Sequence, residues 1–300
     1  MKIPCVTILT ALATNMLFAS APPAPLAPSA NVQSDVSYLG PDRAEKLDIY
    51  LPPETFARPV PAVLFIHGGG WRLGDKAGTR EVKIATTLAA RGYAVVSINY
   101  LLNVGERNEA ARKTVLTSVA WPQNLHDCKS ALRFIRKESA RHGIDPNRIA
   151  VAGGSAGGHL AMLLGATANH AEFNKHGLYT DQSNAVSCIL NFYGEYDISG
   201  RWSFCFAGKT PRQTDANIKA ASPITHLDKN TPPMFITHGS ADKTISVERS
   251  RLLAAHLSKL GVDYLYVEIG GAAHAYDLEP QQMDLRPIVL AFLEKHLGKP

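Results

Sequence analysis

The sequence predicts an α/β fold in which a mostly parallel central sheet carries helices on both faces. Two patterns lead to this prediction. Residues 62–66, Ala-Val-Leu-Phe-Ile, form a continuous apolar run, as expected of a strand that is covered on both faces. Residues 122–142 instead repeat apolar side chains at three- and four-residue steps, which is typical of an amphipathic helix. Because such stretches alternate along the chain, we expect strand–helix–strand units in one sheet.

The individual elements follow in chain order. Residues 46–51 alternate apolar and polar positions and end at two prolines, which predicts an edge strand. Two segments, 102–120 and 194–230, show no clear pattern. Each follows a strand end, so we expect loops or a small cap or lid at the edge of the sheet where ligands bind. The other strands are expected at 62–66, 93–99, 148–152, 186–193, 233–238 and 262–269, and the helices at 76–91, 122–142, 159–164, 246–260 and 285–297.

The N-terminus has the features of an export signal. Met1-Lys2 supplies a positive start, residues 3–18 are mostly apolar, and residues 19–21 read Ala-Ser-Ala, the pattern of a cleavage site. An uncleaved membrane anchor is the alternative, but the apolar run is shorter than the roughly 20 residues that a spanning helix needs. We therefore expect a periplasmic or secreted protein without stable membrane insertion after processing. The predicted organisation is a signal peptide (1–21), a Pro/Ala-rich tether (22–34) and a single α/β domain (35–300).

Composition excludes several classes of partner and site. The 300 residues carry a formal net charge of +5, from 31 basic and 26 acidic residues that are spread widely. No basic stripe interleaves with aromatic residues, so we expect no nucleic-acid partner. After removal of the signal, Cys128, Cys188 and Cys205 allow at most one disulfide, and burial as small hydrophobic residues is favoured. No histidine pair has zinc-like spacing with a carboxylate, so we expect neither metal nor cofactor.

A serine flanked by glycines is the most informative motif. Residues 153–157 read Gly-Gly-Ser-Ala-Gly, after an apolar run and before a helical stretch of small residues. This strand–turn–helix context is typical of a nucleophile elbow with Ser155 at its apex. A serine hydroxyl is a weak nucleophile near neutral pH, so Ser155 needs a base, a group that orients the base, and donors for the oxyanion.

The oxyanion donors are predicted in the loop after the buried strand at 62–66. His67 is followed there by three glycines and Trp71, and glycines allow the backbone N–H groups to approach a ligand closely. We assign the oxyanion hole to the N–H groups of Gly68, Gly69 and Ala156. The alternative for such a run is a plain turn.

The acid and the base are predicted after later strands. Asp242 follows the strand at 233–238, with Glu195 and Asp197 as competitors after the preceding strand. His274 follows the strand at 262–269 in a loop of small residues. The resulting order of serine, aspartate and histidine is typical of one class of hydrolase.

Other aromatic residues have less specific interpretations. His67 is expected to brace the oxyanion loop, His238 to make a structural hydrogen bond at a strand end, and His159 to pack in the helix after Ser155. Trp71 and Tyr100 are predicted to line the substrate pocket, and packing is an equal alternative for both.

Together these motifs resemble an α/β-hydrolase of the esterase/lipase superfamily, in the feruloyl-esterase-like and acetyl-esterase-like branch near the hormone-sensitive-lipase-like carboxylesterases. The resemblance covers about Lys46 to Leu297. Two departures from hormone-sensitive-lipase-like enzymes are Gly154, where those usually carry Asp, and Leu101, where many relatives carry Arg. The motifs that carry the resemblance are 47–52 (Leu-Asp-Ile-Tyr-Leu-Pro), 67–71 with 74–76 (Gly-Asp-Lys), 145–149, 153–158, 221–223, 238–242 and 271–274.

The resemblance implies a secreted serine carboxylesterase that forms an acyl-enzyme at Ser155 and acts on short-chain esters. Acetyl or feruloyl esters, free or linked to polysaccharide, are the implied substrates. An amide hydrolase of the arylformamidase or peptidase type is the alternative on the same triad. A non-catalytic binding module is a third hypothesis, although such proteins usually lack a triad member. The oligomeric state stays open.

Overall fold

Ten strands are present in the computed structural model, which describes residues 31–108 and 113–300. They are β1 (Asn31–Ser37), β2 (Lys46–Leu51), β3 (Val60–Ile66), β4 (Ala94–Ile98), β5 (Val104–Asn108), β6 (Lys113–Ser118), β7 (Ile144–Gly154), β8 (Cys188–Phe192), β9 (Met234–Gly239) and β10 (Tyr264–Ile269). Eight of them form one sheet in the order β1-β2-β4-β3-β7-β8-β9-β10. In this sheet β2 is antiparallel to both of its neighbours, and every other pair of adjacent strands is parallel. The prediction of a mostly parallel sheet is therefore confirmed.

Helices cover both faces of this sheet. They are α1 (Thr79–Ala89), α2 (Gln123–Lys137), α3 (Ser139–His142), α4 (Ala156–Ala166), α5 (Ala171–Asn174), α6 (Pro211–Ala221), α7 (Glu248–Leu260) and α8 (Arg286–Leu297). The strand β3 shows how the core is divided. Its residues Leu64 and Ile66 belong to a buried cluster with α2, α4 and α7, whereas Val63 and Phe65 belong to a second cluster with α1 and α8. Successive strand residues point to opposite faces, which explains the continuous apolar run.

The edge of the sheet differs from the prediction. Residues 46–51 were expected at the edge, but β1 pairs with β2 on its outer side. The last four residues of the predicted tether, 31–34, therefore lie in a strand. The sequence did not reveal β1 because its residues are polar and mostly exposed. The signal-peptide prediction for 1–21 lies outside the described residues.

The two segments without a pattern contain short elements of their own. The first forms the antiparallel hairpin of β5 and β6, which pairs Val104 with Ser118 at its base. The second contains two 3-10 helices, Ser203–Phe206 and Pro223–Thr225, and α6 between them. In α6 only Ala221 is buried, so no apolar stripe marks it in the sequence. None of the described helices combines the length and the apolar character needed to cross a membrane.

The described cysteines are free thiols. Cys128, Cys188 and Cys205 are each buried, as the sequence favoured. Burial raises the pKa of the Cys188 thiol to about 12, so it stays protonated near neutral pH.

Candidate active site

Ser155 lies in a sharp turn between β7 and α4. Its backbone has φ 55° and ψ −119°, a conformation that a residue with a side chain adopts only at a cost of about 1–3 kcal/mol. Two hydrogen bonds hold the turn: the Ser155 N–H donates to the Phe192 carbonyl at 2.9 Å, and the His159 N–H donates to the Ser155 carbonyl at 3.0 Å. The predicted strand, turn and helix are all present, with the serine at the apex.

Gly154 leaves room for an aromatic ring. A Cβ atom at this position would lie 2.9 Å from the hydroxyl oxygen of Tyr193. Tyr193 in turn packs edge-on against His274, with 4.8 Å between the ring centroids. The departure at Gly154 therefore has a steric reason in this chain, because an Asp there would displace Tyr193.

The three predicted triad residues meet at the carboxyl edge of the sheet. The Ser155 hydroxyl lies 2.9 Å from His274 Nε2, and His274 Nδ1 lies 2.5 Å from Asp242 Oδ2. Asp242 follows β9 and His274 follows β10, which are parallel neighbours, so their loops emerge on the same side. In this geometry the imidazole accepts the serine proton at Nε2 while Nδ1–H donates to the carboxylate.

Asp242 is held by donors on both of its oxygens. The N–H groups of Thr244 and Ile245 donate to Oδ1 at 2.8 and 3.0 Å, and His238 Nε2 lies 3.1 Å from Oδ2. Burial opposes the ionisation of this carboxyl, but the bonds from His238, His274 and the Ile245 N–H outweigh it. They hold the pKa of Asp242 well below its usual range, so the side chain is a carboxylate at neutral pH.

The competing acids pair elsewhere. Glu195 Oε1 accepts from Arg249 Nε at 2.6 Å, and Arg249 Nη2 donates to the carbonyl oxygen of Asp197 at 2.7 Å. Glu195 also accepts from the N–H of Tyr196. Neither competing carboxylate bonds to His274 in the part of the chain that the structure describes. Both lie beside the Arg249 guanidinium instead.

The predicted oxyanion loop lies against the nucleophile. A Cβ atom on Gly68 would be only 3.3 Å from the Cβ atom of Ser155, so this backbone is as close to the serine as glycine permits. Within the described ranges, no backbone carbonyl accepts from the N–H of Gly68 or Gly69. Ala156 begins α4, and the first N–H groups of a helix have no partner within the helix. The backbone N–H groups of Gly68, Gly69 and Ala156 are thus not used by neighbouring carbonyls, as an oxyanion hole requires.

His67 and Tyr100 support this loop from below. His67 Nδ1 lies 2.7 Å from the Gly68 carbonyl oxygen, and the Tyr100 hydroxyl donates to the His67 carbonyl at 3.0 Å. The two rings stack with centroids 4.5 Å apart. The expected bracing role of His67 is therefore present. Of the two interpretations of Tyr100, the structure favours packing, because its ring is buried and is not among the residues that bound the cavity.

Trp71 is among the residues that bound the cavity, although only 1% of it is exposed. Its indole N–H donates to His159 Nδ1 at 3.1 Å, and its ring packs edge-on against Phe206. His159 Nε2 in turn lies 2.7 Å from the Ala221 carbonyl oxygen, so His159 links Trp71 to α6 and its packing role is present.

The cavity at Ser155 has one charged wall that the sequence patterns did not reveal. It holds about 400 Å³ and is bounded by Gly68, Ser155 and His274 on the catalytic side. Asp75, Arg80 and Glu81 form the charged wall, and Arg80 bonds to Glu81 through both Nε and Nη2. Trp202 and Ile245 supply apolar surface. The one sequence signal for this wall was the adjacent pair of opposite charges, Arg80 and Glu81, at the start of α1.

A buried ion pair connects two of the sequence motifs. Lys76, from the Gly-Asp-Lys motif after the oxyanion loop, lies 2.8 Å from Asp48 Oδ1 of β2 and 2.9 Å from Asp35 Oδ1 of β1. Asp75 accepts from the Asn99 side chain at 2.8 Å. These contacts fix the far end of the loop to the sheet. Within the described ranges, no three His, Cys, Asp or Glu side chains cluster so as to hold a metal ion.

Comparison with known proteins finds esterases among the relatives of this chain. A profile of the BD-FAE family matches residues 47–257. The chain is 32% identical over 251 residues to esterase LipC and 31% identical over 257 residues to the probable carboxylic ester hydrolase LipM, both of Mycobacterium tuberculosis. These alignments cover 80% and 81% of this chain but only 59% and 56% of the relatives. The chain thus spans less than two thirds of their length.

Solved structures of esterases share the fold. Thermogutta terrifontis esterase 2 phosphorylated by paraoxon aligns with a TM-score of 0.68 at 28% identity, over 92% of this chain and 97% of that one. A truncated carbohydrate esterase from gut microbiota aligns with a TM-score of 0.78 at 23% identity, over 90% and 98%. At that identity the second likeness shows the fold alone. The predicted α/β-hydrolase fold and the resemblance to esterases are confirmed.

Proposed function

Because this chain belongs to the BD-FAE family and has the α/β-hydrolase fold, we propose that it is a serine carboxylesterase. The observation that carries the proposal is the continuous hydrogen-bonded chain from Ser155 through His274 to Asp242. The named esterases among its relatives support the same reaction class.

The reaction proceeds in two halves. Ser155 Oγ attacks the ester carbonyl while His274 Nε2 takes its proton, and the oxyanion of the tetrahedral intermediate accepts from the N–H groups of Gly68, Gly69 and Ala156. His274 then protonates the leaving alcohol, which departs and leaves an acyl-enzyme. A water molecule attacks the acyl group by the same steps and releases the acid. Each oxyanion donor contributes about 2.7–4 kcal/mol of transition-state stabilisation.

Short-chain esters of the acetyl or feruloyl type, free or attached to polysaccharide, are the proposed substrates. The cavity of about 400 Å³ is small, and Asp75, Arg80 and Glu81 occupy one wall of it. A long alkyl chain against that wall would strip water from charged groups without replacing their hydrogen bonds, which is unfavourable. A short acyl group and a polar alcohol avoid this cost. We therefore expect kcat/KM to fall as the acyl chain lengthens from acetate to decanoate.

Export is a further part of the proposal. It rests on the charged start, apolar run and Ala-Ser-Ala pattern of residues 1–21. Intact-mass measurement of the protein recovered outside the cytoplasm tests it, since an uncut Met1 would contradict cleavage.

The triad assignment is tested with Ser155→Ala and p-nitrophenyl acetate. We expect kcat to fall by at least about 10⁴-fold, because the nucleophile is lost while the fold is kept. Ser199→Ala, at an exposed serine outside the cavity, is the matched control and should retain wild-type activity. Formanilide and peptide substrates measured beside the ester test the amide alternative. Hydrolysis by Ser155→Ala at the wild-type rate would refute the assignment.

A further inference from the structure

A second imidazole lies against the carboxylate of Asp242. His238 is fully buried at the end of β9, with Nε2 3.1 Å from Asp242 Oδ2 and 2.9 Å from the carbonyl oxygen of Ile245. Both neighbours are acceptors, so Nε2 carries a hydrogen and donates to them. Asp242 Oδ2 therefore accepts from two imidazoles, His238 on one side and His274 on the other.

The ring of His238 is fixed at both nitrogens. Its Nδ1 lies 2.7 Å from the hydroxyl oxygen of Ser250 in α7, while Nε2 reaches the loop after β9. The strand β9, the helix α7 and the loop after β9 together fix the plane of the His238 imidazole. The N–H groups of Thr244 and Ile245 donate to Oδ1 of Asp242. With His238 on one side of Oδ2, the other side of this oxygen faces His274.

We propose that His238 is a positioning residue, which orients the Asp242 carboxylate toward His274 and limits the negative charge available on Oδ2. This inference rests on the proposed esterase function. A hydrogen bond donated to a carboxylate draws charge from the oxygen that accepts it. Without His238, Oδ2 binds the His274 imidazolium more strongly, and the carboxylate also gains freedom to rotate. The first effect moves the acid limb of the pH–rate profile, where activity falls as the pH is lowered, to higher pH. The second effect lowers kcat.

The surrounding charged groups do not supply the same effect. Tyr193 packs against His274, Tyr276 lies near Asp242, and Arg201 reaches the Thr244 carbonyl. Arg80 lines the same cavity as His274, and Glu268 lies near His238. Burial raises the pKa of both tyrosines, so their phenols stay neutral in the working range. Glu268 pairs with Arg251 at 2.9 Å, Arg80 pairs with Glu81, and Arg201 Nη1 lies 3.5 Å from the Thr244 carbonyl. None of these groups donates to Asp242 Oδ2 within the described residues.

Two near-isosteric variants separate positioning from packing. In His238→Gln the amide nitrogen occupies roughly the place of Nε2 and keeps a donor toward Asp242. In His238→Asn the amide ends near Nδ1 and reaches only Ser250. With p-nitrophenyl acetate from pH 5 to 9, we expect His238→Gln to keep kcat within about threefold and the acid limb in place. We expect His238→Asn to lose about tenfold in kcat with KM unchanged, well short of the ~10⁴-fold caused by a misoriented triad base. Its acid limb should move upward by about half a pH unit.

Controls keep the outcome interpretable. His142→Asn removes another buried histidine, at the end of α3, and should lower the melting temperature without moving the acid limb. If His238→Asn does not fold, Ser250→Ala decides the question, because it frees the His238 ring and should shift the limb in the same direction by less. The proposal would be overturned if folded His238→Asn kept the wild-type kcat and the wild-type acid limb of the pH–rate profile. It would also be overturned if His238→Gln lost as much kcat as His238→Asn, or if Ser250→Ala left the acid limb where it is in the wild type.

A measurement without an ester substrate separates this inference from the proposed function. The rate at which a fluorophosphonate labels Ser155, followed by intact mass, reports activation of the nucleophile directly. If the wild type is labelled but hydrolyses no ester, the proposed function fails. The rates at which His238→Gln and His238→Asn are labelled then still decide the role of His238. We expect His238→Gln to be labelled about tenfold faster, and equal rates would contradict the positioning role.

Discussion

Two buried carboxylates follow neighbouring strands of the sheet, and only one of them bonds to His274. Asp242 comes after β9 and Glu195 after β8, with side-chain exposures of 0% and 7%. Both accept from backbone N–H groups of their own loops. By chain position and burial alone, either is a reasonable acid for the triad.

Their charged partners make the difference. Glu195 pairs with the guanidinium of Arg249, which also lies over the Tyr196 ring at 5.1 Å. Burial raises the pKa of Glu195, and Arg249 offsets this only in part. Asp242 bonds instead to two imidazoles and two N–H groups, and its pKa is held low. A carboxylate whose charge is already matched by a guanidinium has little left to stabilise an imidazolium. The partner of the carboxylate, rather than its position at a strand end, therefore selects the triad acid.

Between the two carboxylates, the larger expected effect comes from Asp242→Asn. The amide keeps the shape of the side chain but accepts at one atom only, so His274 loses the acceptor that fixes its tautomer. We expect kcat for p-nitrophenyl acetate to fall about 10⁴-fold. Circular dichroism should show an intact fold. A loss of less than tenfold would mean that another carboxylate serves as the acid.

Much of this site was predictable because the motifs are local. The glycines around Ser155, the strand before Gly68 and the small residues before His274 each signal their role within about ten residues of sequence. Because the strands that carry these motifs are parallel, their carboxyl ends lie at one edge of the sheet, and the three side chains meet there.

The rest depends on contacts between distant residues. Arg249 lies 54 positions from Glu195, and no pattern in one sequence joins them. For Tyr100 the sequence left pocket lining and packing equally open, and the structure decides between them: its hydroxyl donates to the His67 carbonyl and its ring is buried. Leu101, where many relatives carry Arg, also depends on a distant contact: its N–H and the guanidinium of Arg43 both donate to Asp127, so an arginine reaches this region from another segment.

The pH dependence of stability sharpens the comparison further. The pKa of Asp242 is lower in the folded chain than its unfolded value near 3.8, so the carboxylate stabilises the fold above that pH. This contribution is lost as the pH falls through the folded pKa. We expect Asp242→Asn to lower the free energy of unfolding by about 2 kcal/mol between pH 7 and 5, and the gap to narrow below about pH 4. Urea unfolding at several pH values measures the gap, and a constant gap down to pH 3 would contradict the low pKa.

The smallest expected effect, and the sharpest contrast with Asp242→Asn, comes from Glu195→Gln. Because the pKa of Glu195 is raised, its ionised form contributes no net stability relative to the neutral form, and a neutral amide resembles the latter. The Gln oxygen still accepts from Arg249 Nε and from the Tyr196 N–H. We expect the free energy of unfolding to change by less than about 1 kcal/mol and kcat to stay within about threefold. Steady-state kinetics and urea unfolding of both variants in one buffer give the comparison directly. A loss of kcat in Glu195→Gln that matches the loss in Asp242→Asn would show that the two carboxylates act together, so that the partner alone does not select the acid.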